Sequence, residues 1–479
     1  MSADCMDLWA VVPEMIIAGL ALVLVPVAGW VWGRWRRIPV FVSLAGLLAA
    51  AALTAPMLIT TPQEAFCGTY AVDPFRAFYQ LVIELGAAIT ILVLSSHFHN
   101  TQQEPHAPVA VLFATAGGMG LAAATDLALI VLFLQMASFP SYVLVALVRS
   151  DKRAQEAALK YFIYGAAALA VMAYGLTFLF GLTGSLNLRA IGAALAGADA
   201  AWVALALGLV LIGYGFEMTM VPFHLWAPDA FQGASAPVSG FVSVVPKIAA
   251  FGGLLRLLLE AMPNGISAWP LVLAIMAAIS MTFGNLVALR QSSLKRLLAY
   301  SSIAQAGYVL MAVAVAERSP GALRAVGYYL LAYLFMNLAG FAVVAQIERT
   351  TGRDDFEAVR GLARHAPWST AALTLALLSL AGIPPLAGFA GKVFLLTAAI
   401  DGGFTWLAVI AAINMAVALY YYALVIADMY FRESGPRQAV AHHKGYNWAV
   451  GLCTMGTVIL GIVPGLGTRL AEIGASLLQ

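Results

Sequence analysis

Five ionisable residues stand in or beside long apolar stretches of the sequence, where charge is costly. They are Lys160, Glu217, His224, Lys247 and Lys392. An ionisable side chain inside a bilayer marks a functional site by default, because its burial must be compensated. Lysine can release its proton when it is buried, whereas arginine stays charged. This set therefore indicates proton transfer through side chains and water, and it fits a bulky solute poorly.

A fixed ion pair that only holds helices together is the alternative interpretation of each lysine. Burial disfavours the charged form of a group, and a nearby opposite charge favours it. Groups balanced between these two effects can exchange protons near neutral pH. Among the nineteen arginines, only Arg256 falls inside an apolar stretch. It lies near the end of that stretch, where we expect its guanidinium to extend to the membrane surface.

The elements that position these residues are predicted to be membrane-spanning helices. The 479-residue chain is 62% hydrophobic and 10% charged, and one span needs about 20 apolar residues. We predict an all-α polytopic membrane protein with about fourteen transmembrane helices. The predicted spans are 8–33, 38–59, 75–96, 107–125, 127–148, 157–181, 201–221, 236–259, 268–288, 295–316, 322–347, 369–400, 404–430 and 447–467. A net charge of +2 implies no nucleic-acid partner, and the three cysteines have no metal-site spacing.

Two of these spans are interrupted by proline and glycine. The seventh runs into residues 222–228 (PFHLWAP), and the twelfth contains residues 382–388 (GIPPLAG). Proline removes a backbone donor, so each site should unwind and leave polar backbone inside the protein. One such break alone would be a packing kink. Two breaks five helices apart predict that helices 4–8 and 9–13 are inverted repeats, with the ion path at broken helices 7 and 12.

The predicted organisation is a single membrane domain over residues 1–479. It comprises helices 1–3 (1–106), the first repeat (107–259), the second repeat (268–430) and helix 14 (447–467). Sixteen lysines and arginines fall in loops on one side of this arrangement and five on the other. Because basic loops stay in the cytoplasm, this bias places both termini on the periplasmic side.

Several motifs carry a resemblance to a known family. They are residues 156–162 (EAALKYF), 181–185 (GLTGS), 221–229 (VPFHLWAPD), 246–247 (PK), 382–392 (GIPPLAGFAGK) and 420–422 (YYY). Over essentially the whole chain they resemble the antiporter-like subunit N of bacterial NADH-quinone oxidoreductase, respiratory complex I. The resemblance implies redox-driven proton translocation in the bacterial inner membrane. It also implies that NADH, FMN, iron-sulfur clusters and quinone bind partner subunits, with subunit M and the small subunits J and K as neighbours in the bilayer.

The resemblance also implies roles for individual residues. Lys247 matches the helix 8 lysine that relays protons, and Lys392 matches the helix 12 lysine of the outward half-path. Lys160 matches the helix 6 lysine, and His224 matches the histidine at the helix 7 break.

Two positions depart from the family pattern. Gln135 stands where the family usually has a glutamate in helix 5, and Glu217 stands where it usually has a lysine in helix 7. One hypothesis is that Glu217 pairs with Lys247 or Lys160 and preserves a titratable couple. The competing hypothesis is a structural subunit that does not pump. Cation/proton antiporters and membrane-hydrogenase subunits share this design, so they remain a further alternative.

Other residues have structural interpretations. Glu84 could serve as a further proton relay, but because its helix lies outside both repeats we expect it to make a structural ion pair or to contact a partner subunit. Asp126 and Asp229 lie at helix boundaries, where an acid caps the free backbone amides. Cys5 and Cys67 both map to the outward side, so a disulfide between them is an open alternative.

Overall fold

The computed structural model describes residues 7–31, 33–262, 269–432 and 443–475. Its α-helices are α1 (Val12–Trp30), α2 (Ile38–Thr54), α3 (Pro74–His97), α4 (Ala107–Ala123), α5 (Leu127–Val145), α6 (Lys152–Thr183), α7 (Leu188–Leu195), α8 (Ala200–Glu217), α9 (Ala227–Gly233), α10 (Ala236–Ala261), α11 (Trp269–Ala288), α12 (Leu294–Val313), α13 (Ala322–Thr351), α14 (Pro367–Ala381), α15 (Ala387–Asp401), α16 (Thr405–Phe431), α17 (Lys444–Ile462) and α18 (Pro464–Ala475). A short antiparallel hairpin pairs β1 (Gln63–Ala65) with β2 (Tyr70–Val72). Within the described ranges, eleven helical segments are long and apolar enough to cross a membrane, and α4 and α14 are shorter apolar helices. The predicted all-α polytopic fold is confirmed.

The predicted spans correspond to these helices, and four of them differ in extent or continuity. The seventh, predicted over residues 201–221, is α8 and ends at Glu217, before the break, and the twelfth is α14 followed by α15. The fourteenth ends earlier than predicted, at Ile462, because Pro464 cannot continue α17 and instead opens α18. The sixth begins earlier, because the Asp151 side chain caps α6 by accepting a hydrogen bond from the amide of Arg153.

Both predicted helix breaks are present. Each contains a cis X-Pro bond, at Val221-Pro222 and at Pro384-Pro385. Trp226 Nε1 donates to the Phe216 carbonyl at 3.1 Å, so part of the freed backbone at the first break is satisfied. Side-chain hydroxyls satisfy other backbone groups, as irregular backbone at membrane depth requires.

Gly388 shows why the second break needs a glycine. A Cβ atom at this position would lie 1.8 Å from the carbonyl oxygen of Ser379. The amide of Gly388 accordingly donates to Ser379 Oγ at 3.0 Å. The close approach of α15 to the end of α14 therefore depends on the absence of a side chain.

Helices α10 and α13 form the centre of the bundle. In each, 94% of the most hydropathic segment is buried within the chain, against 33% in α6 and in α16. Helix α4 packs on α5 and α6 on α8, while α11 packs on α12 and α13 on α14 and α15. These pairings agree with the proposed repeats, whose inverted orientation and domain boundaries remain predictions.

Loops that the sequence predicts to lie on the same side of the membrane contact each other. On the outward side, Asn187 Nδ2 donates to the Gly68 carbonyl at 2.6 Å. On the inward side, the Leu294 amide donates to the Asp354 carbonyl at 2.6 Å. Cys67 is disulfide-bonded and Cys453 is a free buried thiol, while Cys5 lies outside the described residues.

Candidate proton-transfer site

Lys247 lies in the middle of α10 and is 2% exposed. Its Nζ donates to Thr219 Oγ1 at 2.6 Å, to Ser302 Oγ at 2.5 Å and to the Ser302 carbonyl at 3.3 Å. Within the described residues, no carboxylate lies within 4.0 Å of this nitrogen. Neutral oxygens alone hold the amine, so no fixed counter-ion locks it in the charged form.

The first helix break positions one of these oxygens. Thr219 follows the end of α8 and has a φ angle of +59°, a left-handed conformation that β-branched residues rarely adopt. Such a conformation costs about 1–3 kcal/mol and persists only where the surrounding structure imposes it. Its hydroxyl also donates to the Met218 carbonyl at 2.7 Å. The irregular segment thereby presents the Thr219 oxygen to Lys247.

Polar residues on α12 and α13 extend this site toward the second break. Ser302 Oγ lies 2.7 Å from the hydroxyl of Tyr333. The next contact lies one helical turn later in α12 and one turn earlier in α13, where Tyr329 donates to Gln305 Oε1 at 2.5 Å. Residues spaced by three or four share one helix face. The sequence interpretation missed these four residues, although their spacing in otherwise apolar helices was the available signal.

Lys392 lies on α15 immediately after the second break and is 1% exposed. Its Nζ donates to the carbonyls of Leu380 at 2.7 Å and Ala381 at 3.2 Å. These carbonyls end α14, where the helix dipole favours a cation. The amine also lies 4.5 Å from the centre of the Tyr308 ring. The broken helix therefore supplies the electrostatic environment of Lys392.

One carbonyl joins the two lysine environments. Gln305 Nε2 donates at 3.0 Å to the carbonyl of Leu380, the same carbonyl that Lys392 contacts. These polar groups form a row that starts at Lys247 and passes through Ser302 and Gln305. Ser302 and Gln305 are separated by a single turn of α12, so their Cβ atoms lie about 5–6 Å apart. A water molecule can bridge this distance. The row therefore runs from Lys247 to Lys392 with one short gap.

Glu217 ends α8 and is 4% exposed. Its Oε1 accepts a hydrogen bond from Ser138 Oγ on α5. The hypothesis that it pairs with Lys247 or Lys160 is wrong in this structure, because its carboxylate makes no ion pair among the described residues. Ser138 lies one turn after Gln135, which is half-buried. Glu217 of α8 therefore faces α5, the helix in which Gln135 stands where a glutamate was expected.

Lys160 is not enclosed by the protein. Its side chain is 42% exposed and forms ion pairs with Glu156 at 2.8 Å and with Asp229 at 2.9 Å. Arg296 binds the other oxygen of Asp229 at 2.8 Å. The expected central placement is corrected because α6 starts at Lys152, so Lys160 lies near the N-terminal end of this long helix. At 1.5 Å per residue this helix is about 48 Å long, longer than a bilayer core.

Asp229 bridges two cations and does not cap a helix. Partial burial raises its pKa, but hydrogen bonds from Lys160 and Arg296 outweigh burial and hold the pKa below its ordinary value. Asp126, by contrast, is confirmed as a cap, since it accepts from the amides of Ala128 and Leu129.

His224 lies in the first break and is 5% exposed. Its ring packs edge-on against Phe283 of α11 at a centroid distance of 4.8 Å. Its Nδ1 has no hydrogen-bond partner in the described part of the chain. A buried imidazole with a free nitrogen can take up a water molecule or a proton at this break.

Arg256 does not extend to the membrane surface, and that expectation is wrong. It is 0% exposed, and its guanidinium binds both oxygens of Asp73 at 2.9 Å each and Glu260 at 2.9 Å. Two acids keep this cation inside the protein, so its role is to join α3 to α10.

Comparisons with known proteins agree with this architecture. The family model described as NADH:quinone oxidoreductase/Mrp antiporter, TM, matches residues 124–417. The chain is 37% identical over 471 residues to NADH-quinone oxidoreductase subunit N 2 of Roseiflexus castenholzii, which covers 95% of this chain and 94% of that protein. A chain of respiratory complex I from Thermus thermophilus superposes with a TM-score of 0.82 at 35% identity, covering 95% of this chain and 98% of that one.

A chain of the Mrp complex from Dietzia sp. superposes with a TM-score of 0.86 at 23% identity, covering 98% of both chains, which shows the fold alone. The family match extends over more than half of the chain, and the relatives cover nearly all of it. This chain belongs to the NADH:quinone oxidoreductase/Mrp antiporter family of transmembrane proteins.

Proposed function

We propose that this chain is the antiporter-like subunit N of a bacterial NADH-quinone oxidoreductase and translocates protons across the inner membrane. The environment of Lys247 carries the proposal, because a buried amine held only by neutral oxygens can exchange a proton. The polar row from this amine toward Lys392 supports a path between the two broken helices. Relatives named as NADH-quinone oxidoreductase subunit N support the assignment of the chain to this complex.

In the proposed mechanism, Lys247 takes up a proton and later releases it along the row. The hydroxyls of Ser302 and Tyr333 accept one hydrogen bond while donating another, so they can pass a proton on. Gln305 orders the segment beyond them by binding both Tyr329 and the Leu380 carbonyl. Lys392 receives the proton, and its ammonium form is stabilised by the carbonyls at the end of α14.

The proposal assigns electron transfer to other subunits. NADH, FMN, the iron-sulfur clusters and quinone would bind those partners, and no cofactor is assigned to this chain. Its peripheral helices offer apolar faces to neighbours within the bilayer. Ile163 on α6 is 56% exposed and Ile413 on α16 is 61% exposed. Subunits M, J and K are the proposed occupants of such faces, and both termini are proposed to lie on the periplasmic side.

The test is the ratio of protons pumped to electrons transferred by the assembled complex in proteoliposomes. Lys392→Met should lower this ratio, since methionine replaces the aliphatic part of the lysine side chain and cannot carry a proton. Lys444→Met is the matched control, because Lys444 is an exposed residue at the start of α17. An unchanged ratio in Lys392→Met would contradict proton transfer through this residue and favour a structural subunit.

A cation/proton antiporter is the second candidate function. The family model that matches residues 124–417 favours it, because its description names the Mrp antiporter together with NADH:quinone oxidoreductase. Affinity purification from the native membrane separates the two proposals. Recovery of quinone-binding and peripheral redox subunits supports the oxidoreductase, whereas cation-dependent proton flux from the purified chain alone supports an antiporter.

A further inference from the structure

A second row of buried polar residues lies on α3 and its N-cap residue Asp73, apart from the row between Lys247 and Lys392. It consists of Asp73, Arg76, Gln80 and Glu84, which we call the α3 column. Their spacing of three or four residues places them on one helix face. Their side chains are nearly inaccessible, at 6%, 0%, 0% and 2% exposure. Burial of so many polar groups is costly unless partners or water satisfy them.

The outward end of the α3 column is connected to the protein surface by charges. Asp73 binds Arg256 through both carboxylate oxygens, and Arg256 also binds Glu260. Glu260 Oε2 lies 3.7 Å from Nε of Arg189, whose side chain is 58% exposed. A series of alternating charges therefore leads from solvent into the bundle.

The middle of the α3 column is only partly satisfied by the protein. Arg76 Nη2 contacts both oxygens of Glu14, at 2.9 and 3.1 Å. Gln80 Nε2 donates to Glu14 and to the Met119 carbonyl, the latter at 3.1 Å. Nε and Nη1 of Arg76 and Oε1 of Gln80 are buried and have no partner in the described part of the chain. Buried polar groups of this kind are usually satisfied by ordered water.

Glu84 is the inner end of the α3 column. Its Oε1 lies 3.4 Å from Thr54 Oγ1, whose single hydrogen is also donated to the Ala50 carbonyl at 3.0 Å, and its Oε2 is buried without a partner among the described residues. No basic side chain of the described chain lies within 4.0 Å of it. Glu14 and Arg76 are the charged groups that act on it electrostatically. The expected ion pair or partner contact is wrong, because Glu84 is unpaired and enclosed by its own chain.

Glu84 lies at the depth of the central lysine. It follows Arg76 by eight residues, which is about 12 Å along an α-helix. Val245, two residues before Lys247, packs against Gly86, two residues after Glu84. The α3 column therefore reaches from the outward surface to the level at which Lys247 sits.

We propose that Glu84 is a second proton-binding site, which exchanges protons with the outward face through water held by the α3 column. The carboxylate accepts a proton from hydronium to give the neutral acid and water, and release reverses this step. The neutral form of the Glu84 carboxyl is favoured because no cation lies beside it. The buried polar atoms of Arg76 and Gln80 that have no protein partner can bind the connecting water. This site is additional to the proposed redox-coupled row and does not depend on it.

Infrared difference spectroscopy of the purified assembled complex, comparing acidic with alkaline buffer, tests the proposal. A protonated carboxyl gives a carbon-oxygen stretching band, and we expect one such band to disappear in Glu84→Gln. Glu84→Asp should retain a band at a shifted frequency. Glu472→Gln is the matched control, since its side chain is 64% exposed and lies on α18.

Thr54→Val provides a second measurement, because it removes the hydroxyl that lies 3.4 Å from Glu84, to which the neutral acid can donate, without changing the acid. The same band should shift in this variant. A spectrum of Glu84→Gln identical to that of the parent overturns the proposal. If Glu84→Gln does not assemble, a band that stays unmoved in Thr54→Val overturns it equally. Because neither outcome depends on the pumping ratio of Lys392→Met, failure here is distinguishable from failure of the proposed function.

Discussion

Replacing Lys247 with arginine separates proton exchange from a fixed structural charge. Lys247 Nζ has three oxygen acceptors, at 2.5, 2.6 and 3.3 Å. A guanidinium can donate to the same oxygens, so Lys247→Arg preserves the positive charge and its hydrogen-bonding capacity. Lys247→Met removes both. The two variants therefore differ in charge, while both lack a group that releases a proton readily.

The expected size of the effect follows from the chemistry of the two bases. Free arginine holds its proton more tightly than free lysine by about two to three pH units, which corresponds to about 3–4 kcal/mol. If proton release from this position limits translocation, the rate should fall by about a hundredfold to a thousandfold. Burial acts on both cations in the same direction, so it does not remove this difference.

The assay is proton pumping by the assembled complex in proteoliposomes, recorded both as an absolute rate, which tests the magnitude above, and per electron transferred. We expect Lys247→Arg and Lys247→Met both to lower the ratio. Folding of the methionine variant should be preserved, because Thr219 and Ser302 keep hydrogen bonds to Met218 and Tyr333. A normal ratio in Lys247→Arg combined with a reduced ratio in Lys247→Met would refute the reasoning, since a fixed charge would then suffice.

Three further predictions concern buried and interfacial charges. Arg256→Met should lower the free energy of unfolding by about 3–5 kcal/mol, because it leaves Asp73 charged and unpaired. Adding Asp73→Asn to the same chain should restore part of the lost melting temperature. Asp229 has a lowered pKa in the folded state, so its ion pairs stabilise the protein at neutral pH and are lost as the pH falls through that lowered value. The acid-side decline in melting temperature should therefore be smaller in Asp229→Asn. Glu217→Gln should lower the proton-to-electron ratio and remove a pH-sensitive carboxyl band, and an unchanged ratio would show that Glu217 is structural.

The positions of the helices and their breaks are largely determined by local sequence. A helix satisfies its own backbone, so apolar length predicts a span without knowledge of its neighbours. Proline acts locally in the same way, which is why both breaks were predictable from residues 222–228 and 382–388. The ends of α6 and α17 were less predictable, because a capping side chain and one proline decide them.

The partners of the ionisable residues were decided by tertiary structure. Glu217 binds Ser138, 79 residues away, and Arg256 binds Asp73, 183 residues away. Sequence identifies that such groups are buried and therefore significant, but a partner depends on which helix faces are brought together. Lys160 shows the opposite outcome. It was expected to be buried, but because α6 begins earlier than predicted it lies in an exposed ion pair.

By itself, the sequence determined the class of protein, its broken helices and the candidates for proton transfer, because hydropathy and proline act within a single helix. Only the tertiary structure decided that Lys247 has neutral partners, that Ser302 and Gln305 lead toward Lys392, and that Glu84 has no basic partner among the described residues. These properties arise from contacts between helices, whose energies depend on distance and burial and have no counterpart in residue order.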